Sequence, residues 1–164
     1  MQIIRHRQRH LHATIVRHVR QALDESGWLH DPVNWGQPPV TLLDYEPQQA
    51  GQTPAYNTVA VSIGTQDSDL PYELGGGIYT CRYTVFIDVY PTKEAIGVAI
   101  ADDIKFAITE EIIPLRVFST DADGTEIDAQ IEFEDVMVET IPSAATTLDK
   151  RSWRSVKATA VCFF

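Results

Sequence analysis

Four histidines near the start of the chain are the first place to look for chemistry. His6 and His10 stand four apart, the spacing that places two imidazoles on one helix face, and His12 and His18 are nearby. No Cys or carboxylate within that stretch completes a metal site, and the chain has no HExxH sequence. The acidic turn Asp121, Asp123, Gly124 and Glu126 offers oxygen ligands of the calcium type. Aligning Gly124 with the sixth position of an EF-hand loop puts Ser119 first and Gln130 twelfth, where Asp and a bidentate Glu are needed. Gly75-Gly76-Gly77 could cradle a phosphate, yet no Lys follows it and a strand comes next instead of a helix. Cys81 and Cys162 lie in apolar, strand-like stretches without CxxC spacing and read as reduced core residues. There is no GxSxG, no Walker-type loop and no zinc signature. The expectation is a chain with no catalytic residue, no metal and no cofactor, and therefore not an enzyme.

The elements that must position these groups follow from periodicity. From Ile78 to Tyr90, Tyr79, Cys81, Tyr83, Val85, Ile87 and Val89 fall on one face, and Thr80, Arg82, Thr84, Phe86, Asp88 and Tyr90 on the other. That is the two-residue period of a strand with one drier side. Pro91-Thr92 ends it, and Thr92 is placed to cap a helix over Lys93–Ile108. The apolar stripe of that helix is Ile96, Ala99, Ile100, Ile104, Ala107 and Ile108. Val98 and Phe106 lie opposite the stripe and predict a subunit contact on the outer face. A first helix is expected over about residues 5–25, with Leu11, Ile15, Val16, Val19, Ala22 and Leu23 at helical spacing and Gly27 at its stop. Val40–Leu43, Thr58–Ile63, Ile113–Phe118, Ile127–Ile141 and Ser152–Phe164 read as further strands, with Asp123-Gly124 as a hairpin turn. Residues 64–77, rich in Asp, Ser, Pro and Gly, predict a mobile loop whose apolar anchors Leu70, Tyr72 and Leu74 dock on a neighbour. The order predicts a single α+β domain over 1–164, a mixed, mostly antiparallel sheet with two helices packed on it.

At 164 residues, 44% hydrophobic and 22% charged, the composition is that of a globular protein. No apolar run approaches the roughly 20 residues that span a bilayer, and the basic start lacks the apolar segment of a signal peptide, so an intracellular site of synthesis is expected. Net charge is −10, but Arg5, Arg7, Arg9, Arg17 and Arg20 stand in a first stretch that has no acid. The rest of the chain is strongly acidic, which disfavours general binding to phosphate backbones and suits a channel through which DNA slides without sticking. The arginines run against the helix dipole. They form either a solvated polar face or a surface that meets acidic groups on a neighbouring subunit, with Arg5, Arg7 and Arg9 as the contacts.

The first helix ending near Leu23, the strands Thr58–Ile63 and Ile78–Tyr90, the helix Lys93–Ile108 with its EAIGVAIADDIKFAI pattern and the closing strand with Trp153 together resemble the tail terminator, or tail-completion, proteins of long-tailed bacteriophages. The resemblance spans most of the chain. It implies a structural virion protein, assembled in the host cytoplasm as a homo-hexameric ring that caps the tail tube and joins it to the head-side connector. Its partners would be itself, the tail tube protein and the connector protein, with no specific nucleic-acid recognition and no membrane. Two alternatives stay open: another phage neck or tail protein, such as a head-completion (stopper) protein or a tail tube subunit, and a host small-molecule binding domain or accessory enzyme.

Overall fold

The structure, a computed structural model, describes residues 6–30, 38–48, 50–71, 79–118, 123–141 and 153–163. The chain order is α1 (Arg7–Glu25), β1 (Thr41–Leu43), β2 (Thr58–Pro71), β3 (Tyr79–Tyr90), α2 (Glu94–Thr109), β4 (Ile113–Val117), β5 (Thr125–Ile141) and β6 (Trp153–Phe163). The strands form one six-stranded sheet in the order β1-β2-β3-β6-β5-β4. The β1–β2 pair is parallel and the other pairs are antiparallel. The fold is α+β, with both helices on one face of a curled sheet.

Alternation decides which face is dry. Cys81, Tyr83, Val85, Ile87 and Val89 of β3 are buried, as are Ala158, Ala160 and Cys162 of the β6 neighbour. From α1 come Leu11, Ile15, Val19 and Leu23, and from α2 come Ile96, Ile100, Ile104 and Ile108. These residues form one core. Each fully buried aliphatic side chain contributes about 1.5–3 kcal/mol relative to exposure. The helix faces expected from spacing are therefore the faces that the sheet covers.

Helix α1 ends in a Schellman motif. The Trp28 N–H donates to the Leu23 carbonyl (2.8 Å) and the Gly27 N–H to the Asp24 carbonyl (3.0 Å). Gly27 sits at φ 80°, the left-handed region in which a side chain would be strained. The turn swings Trp28 into the core, where its indole N–H donates to Asp103 of α2 at 2.7 Å. At the other helix, a Cβ on Gly97 would come within 2.7 Å of Pro91 Cγ. The first turn of α2 therefore rests directly on the residue that ends β3.

Two expectations are corrected. Residues 64–71 are not loop: β2 continues to Pro71 and pairs with β3 as far as Pro71 opposite Tyr79, with register shifts between Ile63 and Gln66 and between Gln66 and Ser68. Pairing along a long partner strand overrides the turn-rich composition, and the irregularities absorb the mismatch. Leu70 lies in that strand opposite Thr80; Tyr72 and Leu74 fall outside the described residues. Thr92 is not the cap of α2. The cap position falls on Lys93, with no side-chain cap, and the Thr92 N–H is directed to Asn57 Oδ1 at 3.2 Å. Glu94, in the first turn, has the charge that suits the helix start.

Polar side chains of α1 reach both edges of the curl. Towards β2, beyond the point where β1 stops, His12 Nε2–H donates to the Val61 carbonyl (2.9 Å) and Gln8 to the Gly64 carbonyl (3.2 Å). Towards β4, the Arg116 N–H donates to Thr14 Oγ1 (3.1 Å) and the Phe118 N–H to His10 Nδ1 (3.2 Å). Backbone groups that an open sheet edge would leave unpaired are thus closed by a helix. Replacing Thr14 by Val keeps the shape and removes the acceptor for Arg116. Urea unfolding should show a loss of about 1–3 kcal/mol with an unchanged m-value; a loss under 0.5 kcal/mol would show that the edge does not need this bond.

Candidate functional site

The histidines do not converge on a metal. His10 is buried and bonds to β4, His12 bonds to β2, and His18 Nε2–H donates to the Ala107 carbonyl at the end of α2 (3.0 Å). Because Nδ1 of His10 accepts a backbone N–H, its ring must be neutral for that bond to form. Burial is the main cause that lowers its pKa from the ordinary 6.5, with Arg9 and then His6 adding repulsion. Among the described residues, no group of three or more His, Cys, Asp or Glu side chains could hold a metal ion.

The acidic turn is organised by a guanidinium. Arg116 Nη1 donates to the carbonyls of Asp123 (2.9 Å) and Gly124 (3.1 Å), and Nη2 pairs with Glu126 at 2.6 Å. The cation that these oxygens meet is a side chain of the neighbouring strand, and Ser119 and Asp121 of the calcium-type turn lie outside the described residues. Cys81 and Cys162 are register partners on β3 and β6, both buried and neither in a disulfide. Burial and then the Cys81 neighbour push the Cys162 thiol up to about 12, so it has little thiolate character at neutral pH. Arg7 Nη1 donates to Cys81 Sγ at 3.4 Å, which turns this arginine toward β3.

Of the proposed contact residues, Arg9 is exposed on α1, Arg7 is half-buried and Arg5 lies outside the described residues. Val98 is 36% and Phe106 69% exposed on the outer side of α2, and Ile112, just beyond that helix, is 61% exposed. On the opposite side of the molecule, β5 carries six carboxylates and no basic side chain. Asp128, Glu134 and Glu139 are exposed along its outer face, with Glu132 half-buried between them, while Glu126 lines a cleft with Thr14 and Arg17 of α1. Two of these carboxylates are paired, Glu134 by Arg82 reaching across β6 from β3 (2.6 Å) and Glu126 by Arg116 of the adjacent β4. Ile112, Pro114, Ile127, Ala129 and Phe163 line a shallow groove of about 600 Å³ beside this strand, with Asp128 and Gln130 at its rim.

Sequence reasoning missed one cluster. Glu46, 9% exposed, lies in the connection from β1 to β2. Its Oε1 accepts the Tyr90 hydroxyl (2.7 Å) and the Gln48 N–H (3.1 Å). Its Oε2 is buried with no hydrogen-bond partner, and Asp88 of β3 faces it. Asp88 is raised to about 7, first by burial and then by Glu46, while Ser155 acts in the other direction. Neither spacing nor motif announces this group, since its members are 42 residues apart in sequence. The signal in the chain was a single acid, Asp88, inside the otherwise apolar run Val85–Tyr90.

The chain matches no protein-family model and no curated protein at a significant level. Among the described residues, no helix is long and apolar enough to cross a membrane.

His10 makes acid sensitivity testable. Its folded pKa is lowered, so the unfolded chain binds the proton more tightly; the stability contributed is full above 6.5 and is lost as pH falls below it. His10→Asn retains an acceptor near the Nδ1 position without that titration. Thermal midpoints between pH 6.5 and 5 should fall more steeply for wild type than for the variant. Parallel slopes would contradict the assignment.

Proposed function

We propose that the chain is a structural virion protein, the subunit of a hexameric ring that terminates a phage tail tube and joins it to the head-side connector. One observation carries the reading. The subunit exposes Arg9 and Arg20 on α1, among helix-side acids that include Asp24, Glu25 and Asp102, and a row of carboxylates along β5, so patches of opposite sign stand on different faces. Such faces favour head-to-tail contact between copies, and a head-to-tail contact closes into a ring when its rotation allows. Arg9 and Arg20 are exposed on α1, and the β5 row supplies the acids. Val98 and Phe106 add exposed apolar area on α2 that water alone would otherwise cover. The polar side chains with chemical potential in α1 are occupied by bonds within the fold, which supports an assembly role over a reaction. The acidic outer surface suits a passage for DNA and disfavours retention of it.

A second reading, a tail tube subunit, is favoured by the long β2–β3 hairpin, since extended hairpins are the stacking elements of tube rings. The two readings part on growth: a terminator forms rings and halts tubes, whereas a tube subunit forms open-ended polymers.

Solution mass by light scattering should give a hexamer that binds and blocks growing tubes. A monomer at all concentrations would reject both readings. The double variant Arg9→Gln and Arg20→Gln should weaken assembly and make it less salt-sensitive while circular dichroism stays unchanged. With each exposed pair worth about 0–1 kcal/mol, the expected loss is roughly 5-fold in affinity per interface, repeated around the ring. Phe106→Asp should act in the same direction without the salt effect. Normal assembly in both variants would remove the proposed faces.

A further inference from the structure

We propose that Glu46 and Asp88 form a proton-operated latch that holds the β1–β2 connection against the outer face of the sheet. The connection meets the sheet at a small apolar group separate from the main core: Ala60 and Tyr90, with Leu43 and Trp153 beside them. The Tyr90 and Trp153 rings lie 5.7 Å apart at 34°. Glu46 fastens the connection there. Its first oxygen is met by Tyr90 and Gln48, and Gln48 Nε2 also donates to the Tyr90 hydroxyl (3.2 Å). Its second oxygen is buried without a partner.

An ionised Asp88 beside Glu46 offers no donor to Oε2, and two closely placed like charges repel. A protonated Asp88 supplies the missing O–H, so one proton satisfies the buried oxygen and removes the repulsion together. The groups that face Asp88 are Glu46 from the connection, Tyr90 from its own strand and Ser155 from β6. Tyr90 stays a neutral donor, because burial and then Glu46 hold its hydroxyl above the ordinary 10. No Lys, Arg or His among the described residues is paired with either carboxylate. Lys157, two residues along β6 from Ser155, instead stands over the Phe86 ring at 5.8 Å.

The far end of the connection is a fixed pivot. Asn57 is buried at φ 52°, its side-chain amide donates to the Pro38 carbonyl (2.8 Å), and its Oδ1 accepts from Thr92. Between β1 and that pivot, the connection is turn-rich and bonded mainly to itself, through Gly51 N–H to the Gln48 carbonyl (3.0 Å) and Gln52 N–H to the Pro47 carbonyl (2.8 Å). Loss of the proton therefore frees the segment locally and bares Tyr90 and Trp153. The folded pKa of Asp88 is raised, so the latch is complete well below 7 and weakens as pH rises through about 7. This inference is independent of the ring reading.

Amide hydrogen exchange of Gln48, Gly51 and Gln52, corrected for the intrinsic pH dependence of exchange, tests it. Protection in the wild type should fall about tenfold between pH 6 and pH 8, while amides of β3 and β6 keep theirs. In Asp88→Asn the carboxamide donates permanently, and protection should be the same at both pH values. Glu46→Gln, which replaces the other partner, should likewise lose the pH dependence, and it serves if the first variant does not fold. Wild-type protection that is unchanged from pH 6 to pH 8, or an equal fall in the variants, would overturn the latch. So would full restoration at pH 8 by calcium chloride alone, which would make the pair a cation site instead.

Discussion

Helix α1 packs against β2 on one side of the curled sheet and β4 on the other, and its side chains bond to the backbone of both. On one side β1 covers only residues 58–60 of β2, so the carbonyls of Val61 and Gly64 need other partners. On the other side β4 is a short edge strand, and the amides of Arg116 within it and Phe118 just past it are bonded to α1. An amphipathic helix with only an apolar stripe would fill the curl and leave those groups unpaired, at about 1–3 kcal/mol each. Gln8, His10, His12 and Thr14 resolve this by placing polar atoms on the flanks of the stripe formed by Leu11 and Ile15. The Schellman turn at Gly27 and the Trp28–Asp103 bond then tie the end of α1 to α2. Closure of the sheet and packing of the helices are one event.

That constraint explains the chemistry of the N-terminal segment. Histidine is suited to an edge bond because it offers both a donor and an acceptor on a short, stiff arm. His12 uses the donor, His10 the acceptor, and the choice is set by whether the strand presents a carbonyl or an amide. Arg116 does similar work at the β4–β5 turn, and Arg7 turns inward to Cys81. Arg9 and Arg20 remain exposed on α1, beside helix-side acids such as Asp24, Glu25 and Asp102.

Much of the fold was legible because it rests on periodicity. The alternation in β3 and the stripes of α1 and α2 appear within a residue or two of their expected positions, whereas Val117 pairs with Thr125, which puts Asp123-Gly124 just before β5 and not at a two-residue turn. The strand through Gly64–Pro71 was not legible, since its stability comes from a partner strand and not from its own residues. The exposed apolar pair Val98 and Phe106 was readable from helical spacing alone. The Glu46–Asp88 pair was not, because the approach of two carboxyls so far apart in sequence is a product of tertiary structure. The same holds for the histidine bonds: spacing places His6 and His10 on one face but cannot say that a strand edge waits beside His10.

The polar face of α1 bonds to both edges of the sheet and joins them into one cooperative unit. Native-state hydrogen exchange at the Arg116 and Phe118 amides, measured against the α1 core amides over rising denaturant, addresses this directly. The two sets should merge into one opening with the same free energy and the same denaturant dependence. Separate openings, with Arg116 and Phe118 exchanging while α1 remains fully protected, would contradict it.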